Sequence, residues 1–255
     1  MTDVNPIIEL KNVSKLYGNE RALDAIDIDV YPGEVHCLLG DNGAGKSTLI
    51  KIMSGVVAPS SGEILYDGRP VAMTSPRDAF ALGIATVHQD VGSVPLMSVA
   101  RNFFLGNEPT IGWGPFKRID FELANRVSIE RIQAMGIRRV TDPDQLVGTM
   151  SGGERQALAI ARALYFGAQV LILDEPTAAL GVRESSVVID LIRNARAQGI
   201  ALVFITHNAT HAFAVGNRYT VLWQGRVAAS FQRGERTQEE LITLMAGGQK
   251  IQEDA

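Results

Sequence analysis

One stretch of the sequence has the residue types and spacing of a phosphate-binding loop. The pattern G-x-x-x-x-G-K-[ST] is matched by Gly40, Asp41, Asn42, Gly43, Ala44, Gly45, Lys46, Ser47 and Thr48. An apolar run over 34–39 precedes this stretch, and residues 49–53 have the composition of a helix start, which is the strand–loop–helix context that the motif requires. Glycines let backbone amides approach phosphate oxygens, and the helix N-terminus favours the same anion. Lys46 can reach the β- and γ-phosphates, while the Ser47 hydroxyl, with Thr48 beside it, is placed for Mg²⁺. The sequence therefore predicts a nucleotide-binding protein.

A second group of candidate residues follows the apolar run 170–173, which is typical of a buried parallel strand. Asp174 and Glu175 come directly after it. Asp174 can hold Mg²⁺ through water, and Glu175 can polarise an attacking water as a general base. Acids after a strand are also common without any function. Their place downstream of a phosphate loop favours the catalytic interpretation.

Two further predicted strands, within 84–90 and 201–207, also end in polar residues. Open parallel sheets bind ligands at the carboxyl ends of their strands. Gln89 can therefore contact Mg²⁺ or the attacking water, and His207 can reach the edge of the γ-phosphate. Either residue alone is as typical of an ordinary loop or a structural contact.

An aromatic residue, Tyr17, lies in the predicted exposed turn 15–18. Its ring offers a flat face on which an adenine can stack. A single tyrosine in a turn is more often a packing residue, so this hypothesis depends on the other motifs.

A second anion-binding helix start is predicted at Met150–Gln156. Ser151 is suited to be the N-cap, and Gly152 and Gly153 leave the helix N-terminus bare for an anion. The motif either caps a helix or faces a nucleotide held by another molecule. Its spacing to Asp174 favours the second alternative.

The remaining chain predicts a mixture of strands and helices. Alternating strands are expected at 7–13 and 25–30, a hairpin at 60–71 with an Asp-Gly turn, and a helix at 75–82. From about 91 to 147 strand signals vanish. Helices are expected at 99–105 and at 121–135 with Asp120 as N-cap, separated by a surface loop at 107–117. The end of the chain predicts a hairpin about Gln224-Gly225 and, after a capping box at 237–240, a last helix ending at 247.

Composition narrows the protein class. The chain has 255 residues, 46% of them hydrophobic and 20% charged, as in an ordinary globular protein. The net charge of −4 gives no electrostatic reason to expect nucleic-acid binding. The single cysteine, Cys37, lies in an apolar strand and is expected to be a buried core residue in a reducing compartment. We see no secretory signal and no apolar run approaching the roughly 18 residues of a membrane span, so any membrane contact is expected to be peripheral.

Taken together and in order, these motifs resemble the ATP-binding cassette of ABC transporters over about residues 7–246. The resemblance implies an α/β P-loop NTPase fold with a mixed sheet core, an N-terminal antiparallel β subdomain and a helical subdomain insert. One ATP-binding domain would span 1–250, with the helical subdomain at about 91–165.

The resemblance also implies roles for individual residues. Tyr17 would stack on adenine, the 40–48 loop would bind ATP, and Ser47, Gln89 and Asp174 would assist Mg²⁺. Glu175 would be the base, with Gln89 and His207 completing the catalytic group. In this family two cassettes pair head to tail, so the residues that would meet the partner's ATP are Ser151, Gly152, Gly153 and Glu154.

The sequences of residues 99–106 and 179–185 are similar to those of cassettes of bacterial monosaccharide importers of the ribose, xylose, fructose and inositol type. This similarity implies a homodimer on the cytoplasmic side of the inner membrane. Membrane permease subunits would dock at the helical subdomain, and a periplasmic sugar-binding protein would act indirectly. The signature helix departs mildly from the commonest version at Met150 and Glu154. Gly181 stands where most cassettes have Asp, so the usual side-chain link between the two ATP sites cannot be carried over to this position.

Two other functions compete with sugar import. A soluble ABC-type ATPase acting on nucleic acid or ribosomes usually has two cassettes, a coiled-coil insert or basic extensions, and we see none of these. A P-loop small-molecule kinase would need an acceptor site and would have no use for the Ser151 helix.

Overall fold

The computed structural model describes residues 5–88 and 92–247. Its strands are β1 (Ile8–Tyr17), β2 (Glu20–Val30), β3 (Val35–Leu39), β4 (Ser61–Tyr66), β5 (Arg69–Val71), β6 (Ile84–Val87), β7 (Thr110–Ile111), β8 (Arg118–Ile119), β9 (Val170–Asp174), β10 (Ala201–Ile205), β11 (Arg218–Trp223) and β12 (Arg226–Gln232). Its α-helices are α1 (Lys46–Met53), α2 (Pro76–Ala81), α3 (Val99–Phe103), α4 (Phe121–Ala134), α5 (Gly152–Tyr165), α6 (Val182–Ala197), α7 (Ala209–Val215) and α8 (Gln238–Met245).

The central sheet has six strands in the order β12-β11-β3-β10-β9-β6. Its neighbours pair in parallel, except β12, which runs antiparallel to β11 about the expected turn at Gln224-Gly225. The middle strands β3, β9 and β10 are almost wholly buried, which explains why all their residues except His36 and Asp174 are apolar. A mixed sheet core is therefore confirmed.

The N-terminal antiparallel sheet has the order β2-β1-β4-β5 and confirms the expected β region. Asp67 and Gly68 both have positive φ, 49° and 72°, as the expected Asp-Gly hairpin turn requires. The predicted turn at 15–18 is wrong in its bounds. Lys15, Leu16 and Tyr17 remain paired with β2, and the chain turns only after Tyr17.

Helices α3, α4 and α5 pack against one another, and we call these three helices the helical part of the chain. Asp120 caps α4 as expected, its carboxylate accepting from the Leu123 amide at 2.9 Å. The predicted surface loop at 107–117 is corrected in part, because β7 and β8 pair as a two-residue hairpin across it. The two ends of this hairpin lie close together, because the Asp120 amide donates to the Pro109 carbonyl at 2.8 Å.

The central sheet has an apolar layer on each face, because alternate residues of a strand point to opposite sides. Cys37 and Leu39 pack with α5, α6 and α7, whereas Leu38 packs with α1 and the antiparallel sheet. Across residues 5–88 and 92–247, none of the helices combines the length and the apolar character needed to cross a bilayer.

Candidate functional site

The carboxyl ends of four adjacent parallel strands meet at one edge of the central sheet. The phosphate loop follows β3, His207 comes two residues after the end of β10, Asp174 ends β9, and His88 follows β6. Strand order, which the sequence does not specify, therefore brings together motifs that are spread along the chain from the phosphate loop to His207.

The phosphate loop has the backbone that its glycines predict. Gly40, Gly43 and Gly45 have φ of 141°, 81° and 105°. At Gly40 a Cβ would collide with the Leu222 carbonyl, and at Gly45 it would lie 2.8 Å from Leu23 Cδ2, so two of these positions also exclude a side chain sterically. Asp41, Asn42, Gly43 and Ser47 are exposed, whereas Ala44 is buried.

Helix α1 begins at Lys46 without a side-chain cap and without an acidic residue in its first turn. Its free amides and dipole therefore remain available to an anion. Lys46 is only 9% exposed, and its Nζ donates to the carbonyls of Gly40 at 2.7 Å and Asp41 at 3.0 Å. Burial lowers the pKa of the Lys46 ammonium, and the carboxylates of Glu175, Asp41 and Asp174 oppose that shift. The Lys46 ammonium therefore lies at the loop where phosphate would enter, and two of the predicted acids, Asp174 and Glu175, are close to it.

Glu175 is held in a strained backbone conformation directly after Asp174. Its φ of 49° lies in the left-handed region, which costs a non-glycine residue about 1–3 kcal/mol. The Glu175 amide donates to the Ile205 carbonyl at 3.0 Å, which ties this turn to β10. One carboxylate oxygen, Oε1, lies 2.9 Å from His207 Nδ1. The other, Oε2, is buried without a hydrogen-bond partner in the described residues. A carboxylate oxygen without a hydrogen-bond partner keeps its capacity to accept a proton.

His88 was not a sequence candidate, yet its Nδ1 lies 3.7 Å from Asp174 Oδ2. Gln89, the predicted metal and catalytic residue, lies outside the described residues. Tyr17 is 45% exposed at the end of β1, with Lys15 Nζ 5.3 Å from its ring centroid. Leu23, which pairs with Lys15 and touches the Gly45 position, joins this hairpin to the phosphate loop.

The Ser151 helix start lies in a cleft of about 360 Å³ whose lining contains no residue of the phosphate loop. Ser151 is the N-cap, its Oγ accepting from the Glu154 amide at 3.3 Å, and Glu154 accepts from the Ser151 amide at 2.8 Å. Three arginines line the cleft, Arg138, Arg139 and Arg183, together with the carboxylates of Glu154 and Glu184. A helix N-terminus with three arginines suits a phosphate.

The expectation that this helix start is bare needs correction. The Gly152 amide donates to Glu184 Oε1 at 3.0 Å, so a carboxylate of the same chain already uses it. A Cβ at Gly152 would collide with Leu180, and one at Gly153 would lie 3.4 Å from the Glu184 carbonyl oxygen. The glycines therefore serve close packing against the start of α6 as well as access to the helix N-terminus.

Sequence reasoning missed Glu184 and the pair formed by Thr177 Oγ1 and His211 Nδ1 at 3.0 Å. The signal for Glu184 was present as Gly181 followed three residues later by Glu, half of a capping box. No local pattern connects Thr177 with His211, because the contact spans two separate elements.

Comparison with known proteins gives one family. The sequence profile described as "ABC transporter" matches residues 23–178. A fructose import ATP-binding protein of Rhizobium meliloti is 40% identical over 98% of this chain and 97% of its own length. A ribose import ATP-binding protein of Rubrobacter xylanophilus is 41% identical over 96% of this chain and 48% of its own length, so the chain spans about half of that relative.

A solved structure gives the same fold. A dimeric ATP-binding cassette bound to ADP and Pi in a post-hydrolysis state superposes with a TM-score of 0.73. It is 24% identical, and the match covers 90% of this chain and all of that one. This likeness confirms the fold class expected from the sequence.

Proposed function

Because this chain belongs to the ABC transporter family and is an ATPase coupled to transport, we propose that it powers import of a monosaccharide or related polyol through a separate membrane permease. The observation that carries the proposal is the meeting of Lys46, Asp174, Glu175 and His207 at one sheet edge. The names of the fructose and ribose relatives support the substrate class.

Hydrolysis follows from this arrangement. Lys46 would leave the loop carbonyls for the β- and γ-phosphates, and the bare start of α1 would bind the phosphate oxygens. Glu175 Oε2 would take the proton of the water that attacks the γ-phosphorus as the bond to the ADP oxygen breaks. His207 would hold the Glu175 carboxylate in place and contact the γ-phosphate edge.

The donor set near the loop fits Mg²⁺. Ser47 offers an exposed hydroxyl and Asp174 a carboxylate, and Mg²⁺ bound to a nucleotide uses one or two such oxygens besides phosphate and water. When bound, the ion would neutralise charge that develops on the phosphates. Gln89 is proposed as a further oxygen ligand from its place after His88 in the sequence.

Two copies of the chain would pair head to tail. The Ser151 cleft has the chemistry of a phosphate site but is lined by none of this chain's own phosphate loop, so a nucleotide on a second copy is its expected ligand. The related cassette whose structure is dimeric supports this pairing. Ser151, Gly153 and the three arginines of the cleft would then complete the partner's ATP site.

The permease would dock in a groove of about 340 Å³ between the core and the helical part. Its lining includes Val56, Phe80, Arg162 and Phe166, together with His88 and Gly92, which flank the 89–91 segment. An occupant of this groove would therefore adjoin the segment that contains Gln89, the residue expected to contact Mg²⁺ or the attacking water. This docking would place the chain on the cytoplasmic face of the membrane, with a periplasmic sugar-binding protein acting through the permease.

The deciding experiment measures ATPase rate against protein concentration, with and without the permease and the loaded binding protein. We expect the rate to rise with the square of dilute protein and to rise further with permease. The Glu175→Gln variant should bind ATP, lose about 10²–10⁴-fold in rate and accumulate as an ATP-bound dimer. A linear rate indifferent to permease would instead favour the soluble ATPase.

Docking of the permease at this groove can be tested with two matched variants. Phe80→Glu alters a side chain that is 44% exposed in the groove, and Ile242→Glu alters one that is 50% exposed on α8. We expect Phe80→Glu to lose stimulation by permease while keeping basal ATPase activity, and Ile242→Glu to keep both. Equal stimulation of the two variants would contradict docking at this groove.

A further inference from the structure

Glu184 joins the starts of two helices with one carboxylate. Its Oε1 accepts from the Gly152 amide at 3.0 Å, and its Oε2 accepts from the Gly181 amide at 3.3 Å. Gly152 is the first residue of α5 and Gly181 is the N-cap of α6. Because both amides belong to helix N-termini, the negative charge is stabilised by two dipoles at once.

The two helix starts are packed closely enough for this bridge to hold them in register. Leu180 fills the space where Gly152 lacks a side chain, and Val187 Cβ would lie 3.6 Å from a Cβ on Gly153. Glu184 itself is half-buried. A displacement of α5 relative to α6 would break the hydrogen bond to Gly152 and leave the carboxylate with one donor.

Each end of the bridge leads to a residue assigned above to ATP hydrolysis. On one side, the loop from Glu175 to Gly181 is compact, with the Ala178 amide donating to the Glu175 carbonyl at 3.1 Å and the Leu180 amide to the Thr177 carbonyl at 3.3 Å. On the other side, Gly152 follows Ser151 directly. The contacts therefore run from Glu175 through the loop and Glu184 to Ser151.

We infer that Glu184 is a positioning residue that couples the two ATP sites of the dimer. The inference rests on the proposed function, in which one chain supplies Glu175 to its own ATP and Ser151 to the partner's. By fixing the Ser151 helix start to the Glu175–Gly181 loop, Glu184 lets closure at one site set the geometry of the other. It does so within one chain, where Gly181 has no side chain to form such a link.

The test uses Glu184→Ala and Glu184→Gln in the full chain, with Glu240→Ala as the matched control. Glu240 caps α8 from the same third helical position, accepting from the Thr237 amide, but within the described residues it has no hydrogen bond to a second helix. For each variant we would measure ATP affinity at monomeric dilution, kcat and KM for ATP, and Tm. ATP-driven dimerisation would be measured in the Glu175→Gln background.

We expect Glu184→Ala to lower kcat about tenfold, the equivalent of one charge-assisted hydrogen bond. KM and monomer affinity should stay within about twofold, because the phosphate loop is untouched. Dimerisation should require about tenfold more protein. Glu184→Gln keeps the side-chain volume and one acceptor oxygen, so its kcat should lie between those of wild type and Glu184→Ala. Glu240→Ala should match wild-type kcat.

Three results would overturn the inference. They are a Glu184→Ala kcat equal to that of Glu240→Ala, a parallel loss of monomer ATP affinity, or a Glu184→Gln variant faster than wild type, which would mean that the charge only repels phosphate. The wild-type control separates this inference from the proposed function. A wild-type rate linear in protein concentration would contradict the paired sites themselves, whereas a normal wild type beside an unaffected Glu184→Ala would contradict coupling alone.

Discussion

The molecule has two helix starts suited to phosphate, and they are built differently. The start of α1 has a glycine N-cap, no side-chain cap, no acid in its first turn and a buried Lys46 beside it. The start of α5 has a serine N-cap, a capping box with Glu154 and a second carboxylate from Glu184. The first leaves its amides free for an anion. In the second, the amides of Ser151, Gly152 and Glu154 are already satisfied within the chain.

This difference indicates how the two starts bind. An uncapped helix start with an adjacent cation can hold the phosphates of a free nucleotide. A start that is already capped adds only a hydroxyl, the Gly153 amide and the three arginines of the cleft, which suits a phosphate brought by another molecule. The chain is therefore expected to bind ATP through α1 and to complete a partner's site through α5.

The largest expected effect comes from breaking the α1 site. Lys46→Ala should reduce ATPase activity by about 10³-fold and weaken ATP binding by the monomer, because the cation that pairs with the β- and γ-phosphates is lost. Nucleotide titration and steady-state rates check this. The control is Lys51→Ala, an exposed lysine on the same helix. Unchanged ATP affinity in Lys46→Ala would remove the contrast between the two helix starts.

Breaking the α5 site should separate hydrolysis from binding. Ser151→Arg places a bulky side chain at the cleft and should lower the rate by about 10²-fold or more, while the monomer binds ATP as wild type does. Isothermal titration at monomeric dilution tests this. A monomer that lost affinity would show that Ser151 serves its own nucleotide.

Mixing the two inactive variants sharpens the comparison. In a mixed dimer the Lys46→Ala chain supplies an intact Ser151 to the ATP held by the Ser151→Arg chain. An equal mixture should recover up to roughly a quarter of the wild-type rate, since half of randomly paired dimers are mixed and each has one complete site. No recovery in a mixture shown to form mixed dimers would argue against completion of each site by the partner chain.

The support beneath α1 should also respond to acid. His36 lies in β3, the strand that leads into the phosphate loop, and is buried between the Asp29 carbonyl and Thr220. Burial lowers the pKa of His36 to about 4. The histidine of the unfolded chain takes up its proton near pH 6.5, so above that pH the free energy of unfolding has its full value with respect to His36. It declines as pH falls toward 4, by up to about 3 kcal/mol.

Urea unfolding at a series of pH values would measure this loss. A His36→Gln variant should lack that part of the pH dependence, although it is less stable at neutral pH. A wild-type pH profile parallel to that of the variant would rule out His36 as its source.

The smallest expected effect concerns the start of α6, whose Glu184 bonds to the start of α5. Gly181 has φ of −69° and open space around its Cβ position. Gly181→Asp should therefore be accommodated and should cap α6, raising the free energy of unfolding by a few tenths of a kcal/mol. Thermal unfolding would detect this change, and a fall in Tm would mean that the added carboxylate repels Glu184 more than it caps.

The sequence predicted best where the chemistry is contiguous. The phosphate loop, the Asp-Gly hairpin and the caps at Asp120 and Ser151 each lie within a few residues, so their spacing alone indicates their geometry. The turn predicted at 15–18 was misplaced because strand pairing with β2 continues through Tyr17. The short β7–β8 hairpin was missed because two-residue strands have no periodicity to detect.

The sequence by itself determined that the chain carries a nucleotide site, an acid pair after a buried strand and a capped helix start with glycines. Only the tertiary structure decided that His207 contacts Glu175 and that Glu184 occupies the Gly152 amide, each across 32 residues. The physical reason is that such contacts depend on strand order and helix packing. Those are set by burial of the whole core and not by the local spacing that a motif records.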